Sequence, residues 1–217
     1  MQPENTAQCA TLHIGKNARL TGVDGLRERK KTAARQALHE AAVRLALEQG
    51  LDRVTTEAIA DAAELSRRTF SNYFPSKEDA ILHGDVERLR EWLDALRERP
   101  RAEPPWCALR ESLRALYGQW ADPNLARATA MRALRQHPSL VARQSVIYGA
   151  FERDVARVLQ ERSGTDTPDA RRATRVLAAA FLAGLRVATA LWIEEPEVRA
   201  LIPTIDEVLD QVGASFR

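Results

Sequence analysis

Arg67, Arg68, Ser71 and Asn72 place two guanidinium forks, a hydroxyl and a carboxamide in one short segment. Such groups read base edges: arginine spans O6 and N7 of guanine, and asparagine spans N6 and N7 of adenine. The surrounding stretch, ELSRRTFSNYFPSKEDAI from Glu64 to Ile81, interleaves them with Phe70, Tyr73 and Phe74. At about 100° per residue the aromatics gather on one side of a helix and the polar groups on the other. Thr55 and Thr56 open the preceding helix, where hydroxyls and free N–H groups suit a phosphate. Lys77 follows Pro75-Ser76 and can meet a backbone phosphate as a point charge. A helical corner with a solvated polar face uses the same residues, and spacing alone leaves both readings open.

Three helices must position these groups. From Thr32 to Gln49 the apolar residues Ala34, Leu38, Ala41, Ala42 and Leu45 recur at helical spacing, and Gly50 supplies a stop. Thr55 caps a short second helix with Glu57 in its first turn and Ile59, Ala62 and Ala63 facing inward. Ser66 caps the third, and Leu65 and Phe70 form a hydrophobic staple across that cap. Two short helices joined by a tight turn match a helix-turn-helix whose second helix enters the major groove. The run RERKKTAAR, residues 27–35, adds five basic groups against one acidic group at the start of the first helix. Alone it reads as a solvated helix start.

The segment TTEAIADAAELSRRTFSNYFPSKEDAI resembles the DNA-binding domain of the TetR family of transcriptional regulators, over about residues 27–82. Thr55, Ile59-Ala60, Ala63, Ser66, Thr69-Phe70, Tyr73-Phe74 and Lys77 fall in the family pattern without gaps. The resemblance implies that Arg67, Arg68, Thr69, Ser71 and Asn72 face bases or nearby phosphates of double-stranded DNA, with Tyr73 and Lys77 on the backbone. Two residues depart from the pattern. Glu64 stands where the family has glycine in the turn, at a cost of roughly 1 kcal/mol for a side chain in left-handed backbone. Ser71 stands where an aromatic is usual and shortens the reach to DNA there.

The rest of the 217 residues stays helical, with prolines marking the starts. Helices are expected at about 77–98, 104–120, 123–135, 138–162, 168–194 and 197–215. The expected fold is all-α: a helix-turn-helix domain over 26–82, a helical ligand-binding and dimerisation domain over 83–217, and a flexible arm over 1–25. Within that arm Lys16 and Arg19 could touch a minor groove. The segment VLAAAFLAGLRVATALW, Val176 to Trp192, is apolar nearly all round and must be covered on several sides. It is either an internal core helix or, with the last helix, a homodimer interface over about 168–194 and 197–215, as the resemblance implies. An effector pocket is likewise implied. Its candidate lining is Trp92, Trp106, Tyr117, Trp120, Met131, Tyr148, Phe151 and Phe181, which also suit a plain core.

A net charge of +2 excludes neither a DNA partner nor its absence. No apolar run reaches the roughly 18 residues of a membrane span. The polar Gln-Pro-Glu-Asn near the start is unlike a signal peptide, so a cytoplasmic location with Cys9 and Cys107 reduced is expected. His13, His39, His83 and His137 form no metal-ligand motif, and neither a phosphate loop nor a nucleophile elbow is present. No cofactor, metal or catalytic residue is expected. The function expected is a ligand-responsive DNA-binding regulator: a homodimeric repressor released from a palindromic operator by a small apolar or amphipathic molecule. The alternative is a helical enzyme or adaptor with no DNA role.

Overall fold

The computed structural model describes residues 24–120, 125–194 and 201–216. Within them ten α-helices and two 3-10 turns account for the regular structure, with no strand. α1 is Asp24–Gln49, α2 Thr56–Ala62, α3 Arg67–Tyr73, α4 Lys77–Ile81 and α5 His83–Glu98. α6 is Pro105–Trp120, α7 Leu125–Arg135, α8 Pro138–Ser163, α9 Pro168–Glu194 and α10 Leu201–Gly213. The 3-10 turns are Leu51–Arg53 and Ala214–Phe216. The expected all-α fold is the observed one.

Local chemistry sets the ends of the first helices. Gly50 takes a φ of 83° and its N–H donates to the Ala46 carbonyl at 3.1 Å, closing α1. Thr55, Ser66 and Ser76 each accept a backbone N–H three residues on, so α2, α3 and α4 all begin on a hydroxyl cap. After α2 the Leu65 N–H reaches the Ala60 carbonyl at 2.9 Å and the Glu64 N–H reaches that of Asp61 at 3.0 Å. That pair of bonds is a Schellman close, and it forces Glu64 to a φ of 56°. The glycine position of the turn is therefore geometrically real, with glutamate occupying it.

Two cores divide the chain. In the first, Leu38, Ala42, Ile59, Phe70, Phe74, Ile81 and Leu82 pack together from α1 to α4. Leu134 of α7 and Leu140 of α8 belong to this same core, so the far end of the larger domain plugs into the smaller one. The second core joins Trp92, Trp106, Leu109, Phe151, Leu159, Phe181 and Leu209. Between the cores the helix expected over 77–98 breaks at Leu82, which caps α4 with φ −83° and ψ 0°. Polar bonds reinforce the junction: Arg143 to Asp79 at 2.6 Å, Ser139 to Glu78 at 3.2 Å and His137 to Asp52 at 3.2 Å.

Against expectation, one helix is long and apolar enough to cross a membrane by length and composition. An 18-residue window within Pro168–Trp192 has a mean hydropathy of 1.5. Only 22% of that window is buried inside the chain. Its outer side meets α10 across an open groove of about 400 Å³, lined by Ala180, Ala183, Gly184, Val187, Val208 and Val212 among others. Positions 197–200 of the expected last helix, and residues 1–23 of the arm with Lys16 and Arg19, lie outside the described residues.

Two outcomes follow from local geometry. Glu64→Gly removes the side chain from left-handed backbone, offset by the larger entropy of glycine in the unfolded chain. It should raise stability by about 0.5–1 kcal/mol in urea unfolding; a loss would show that Glu64 makes a compensating contact. His83 lies against Phe74, and burial pushes its imidazole below the ordinary 6.5, with Glu87 opposing. The unfolded chain then takes up a proton at higher pH than the folded one. Stability from neutral His83 is present above pH 6.5 and lost as pH falls through the lower folded value. His83→Gln should flatten the acid side of the stability profile.

Candidate nucleic-acid interface

α3 is a rod of seven residues bolted down by its rings. Phe70 and Phe74 are 1% and 5% exposed, with centroids 5.9 Å apart. Tyr73 is half-buried against the same core, and the Arg35 guanidinium of α1 lies 5.5 Å from its ring centre. Each buried phenylalanine contributes on the order of 1.5–3 kcal/mol of transfer free energy, enough to hold a helix too short to persist alone.

The opposite side is open. Arg67, Arg68, Ser71 and Asn72 are all exposed, and Thr69 is half-buried with its hydroxyl 2.8 Å from that of Ser66. Arg67 Nε donates to Glu57 Oε1 at 2.8 Å, joining the outward face of α3 to the first turn of α2. Glu57 sits below the ordinary carboxylate range because its own backbone N–H and the Thr56 hydroxyl stabilise its charge, with Arg67 adding to this. That contact orients Arg67 in the free chain, and its exposure leaves it open to competition by a stronger anion or a base edge.

Thr55 is exposed and spends its hydroxyl oxygen on the Ala58 N–H at 3.1 Å. Thr56 is half-buried and bonded to Glu57. Lys77 is half-buried, its ammonium donating to the carbonyls of Leu51 at 2.8 Å and Val54 at 3.0 Å. It ties the loop ahead of α2 to the start of α4, and two of its three N–H donors are engaged there. The structure therefore brings Thr55, Thr56, Arg67, Arg68, Thr69, Ser71, Asn72, Tyr73 and Lys77 onto the small domain, with Lys77 fixed from below.

Part of the basic run at the start of the first helix joins them. Arg27, Lys30 and Lys31 of α1 share an open cleft with Leu65, Thr69 and Tyr73. Alone the run reads as a solvated start to α1, whose apolar repeat is legible only from Thr32. The helix begins at Asp24, which turns the run into the flank of the α3 face.

Of the eight aromatic and methionine candidates, the six whose side chains are described do not all come together. Trp92, Phe151, Phe181 and Trp106 pack ring on ring at centroid distances of 5.3–5.5 Å in the second core. Met131 packs on the first core instead. Tyr148 is 39% exposed as a residue, while burial around its hydroxyl and nearby Asp85 raise the pKa of that hydroxyl. The side chains of Tyr117 and Trp120 lie outside the described residues. His39 donates from Nδ1 to the Ala80 carbonyl at 2.8 Å, a structural bond between α1 and α4. Among the described residues no group of three or more His, Cys, Asp or Glu could hold a metal.

Comparison with known proteins agrees with this geometry. Residues 38–82 match the model of bacterial regulatory proteins of the tetR family, and residues 103–217 match that of the MftR C-terminal domain. The HTH-type transcriptional regulator TcmR of Streptomyces glaucescens is 32% identical over 196 residues, covering 87% of this chain and 86% of its own. NalD, the secondary repressor of the MexAB-OprM multidrug efflux pump in Pseudomonas aeruginosa, shares the fold. Its TM-score is 0.54 at 20% identity, covering 86% of this chain and 96% of its own. So does Thermus thermophilus FadR, solved with lauroyl-CoA, with a TM-score of 0.52 at 24% identity, covering 82% of this chain and 92% of its own. The capped, ring-bolted α3 and its exposed polar face are thus set in a chain that belongs to the TetR family and is a ligand-responsive, DNA-binding transcriptional regulator.

Proposed function

We propose that this regulator is a homodimeric repressor that reads a palindromic operator with α3 and leaves it when a small apolar or amphipathic effector binds the larger domain. The observation that carries the reading is the outward set Arg67, Arg68, Ser71 and Asn72 on a helix clamped from behind by Phe70 and Phe74. Arg67, Arg68 and Asn72 take base edges, and Ser71 and Thr69 take the groove wall. Thr55 and Thr56 at the start of α2, with Tyr73 and the remaining Lys77 donor, take phosphates. Residues 26–82 form the reading unit and 83–217 the sensing and pairing unit, in a cytoplasmic protein with no catalytic role.

Dimerisation is supported by the unpartnered side of α9 and α10. Val176, Val187 and Ile202 are 53%, 44% and 41% exposed, beside a groove floored by alanine and Gly184. A Cβ at residue 184 would sit 3.2 Å from Leu209 and 3.3 Å from Val212, so glycine keeps the two helices close. A second copy satisfies this surface and supplies the two-fold axis that a palindrome requires. FadR holds an amphipathic acyl thioester, which agrees with an effector of that general kind here. Release then works through the junction where Leu134, Leu140 and the Arg143–Asp79 pair meet α4. An effector shifts the equilibrium only by its difference in affinity for the two states.

Arg67→Ala should lose about 1–3 kcal/mol of discrimination at particular base pairs in duplex-binding assays; uniform weakening on every sequence would make Arg67 a phosphate contact instead. Light scattering should give a dimer at micromolar concentration, and Val187→Glu should give a monomer of unchanged helix content that no longer binds operator. A wild-type monomer, or one that sediments with phospholipid vesicles through α9, would remove the two-fold reading.

A further inference from the structure

Arg132 is an anomaly within the larger domain. It is 7% exposed, yet its Nε and Nη1 have no hydrogen-bond partner among the described residues. Other partly buried arginines of the larger domain are engaged: Arg135 through Nη2 with Asp85 at 2.8 Å, its Nε alone buried and unpaired, and Arg162 with the carbonyls of Leu96 and Pro100 at 3.1 and 2.8 Å. What Arg132 does have is the Trp192 indole, with its guanidinium carbon 3.5 Å from the ring centroid. Burial pushes the guanidinium below its ordinary value, with no acid opposing that shift.

Arginine keeps its charge in proteins, so this is a desolvated cation short of hydrogen-bond acceptors. Such a group is destabilising unless an anion joins it. The indole face and the partial negative charge at the C-terminal end of α7 compensate in part, and neither accepts a hydrogen bond from Nε or Nη1. A carboxylate does so in the forked geometry that arginine favours. The aromatic plate beside it suits an apolar or aromatic body joined to that acid.

We propose that Arg132, backed by Trp192, anchors the carboxylate of the effector, so that this regulator senses an organic acid with an apolar or aromatic body. The inference rests on the ligand-responsive reading and names its chemistry. It also supplies a route to the operator. α7 carries Arg132 between Met131 and Leu134, which pack on the first core, and ends on Arg135, which holds Asp85 of α5. Drawing Arg132 toward a carboxylate moves the same short helix that fills the back of the DNA-reading domain.

The test compares two matched pairs, decanoate with 1-decanol and 1-naphthoate with 1-naphthalenemethanol, on the full chain below any micelle concentration. The readouts are thermal midpoint, indole fluorescence with Trp192→Phe as the assignment control, and release from a selected operator. At least one acid should raise the midpoint and release the operator where its alcohol does not. Its affinity should fall about tenfold or more in Arg132→Met, the loss of a charged hydrogen-bond pair, and less in Arg132→Lys. Without acid, Arg132→Met should melt no lower than wild type, because it removes an unpaired buried charge. Equal effects of acid and alcohol, an acid effect that survives Arg132→Met, or no acid effect together with a lower midpoint in that variant would each overturn the proposal and make Arg132 a structural residue. Operator binding by the wild type without acid tests the regulator reading separately.

Discussion

The burial of Phe70 and Phe74 behind α3 is the contact on which the rest depends. A seven-residue helix has no stability of its own, so its outward side chains are aimed only as well as its inward ones are held. Truncating one of those rings to alanine costs about 3–5 kcal/mol in a packed core, a large part of the stability of a domain this size. The hydroxyl cap of Ser66 and the Schellman close at Glu64 set where the rod begins. The rings set how it is rotated. Arg67, Arg68, Ser71 and Asn72 are exposed together because the opposite face has no freedom to turn.

The same core explains how a signal from the larger domain can reach DNA. Leu134 and Leu140 are built into it from α7 and α8, and Asp79 of α4 is paired with Arg143 of α8. α4 is five residues long and separated from α5 at Leu82. It is therefore no rigid extension of a long lever. It is a small block wedged between α1 and α8, and a shift of α7 or α8 repacks it directly.

Much of this was legible in the sequence because it rests on local rules. The caps at Thr55 and Ser66, the stop at Gly50, and the inward and outward faces of α3 need only neighbours three or four residues apart. Pro138 and Pro168 likewise fixed the starts of α8 and α9 as expected. What could not be read was which helix meets which. Trp92, Phe181 and Met131 are candidates for one pocket or for plain core, and they divide between two cores because periodicity is silent about partners across helices. The break at Leu82 has no proline to announce it, and Gly84 just beyond is a lone glycine inside a helical pattern, a weak signal. The early start of α1 was hidden because the charged run 27–31 has no apolar face to betray a helix. Lys77 bonding to Leu51 and Val54 depends on a loop 23 and 26 residues away, a contact no motif encodes.

Selection of bound duplexes from a random pool by the purified full chain bears most directly on the account. If the clamped rod is a base reader carried in two symmetric copies, the survivors converge on an inverted repeat whose halves lie about 34–36 Å apart along one face of the duplex. Survivors with no common sequence, or with a lone half-site and no mate, would mean that the exposed guanidinium and carboxamide groups do something other than read DNA.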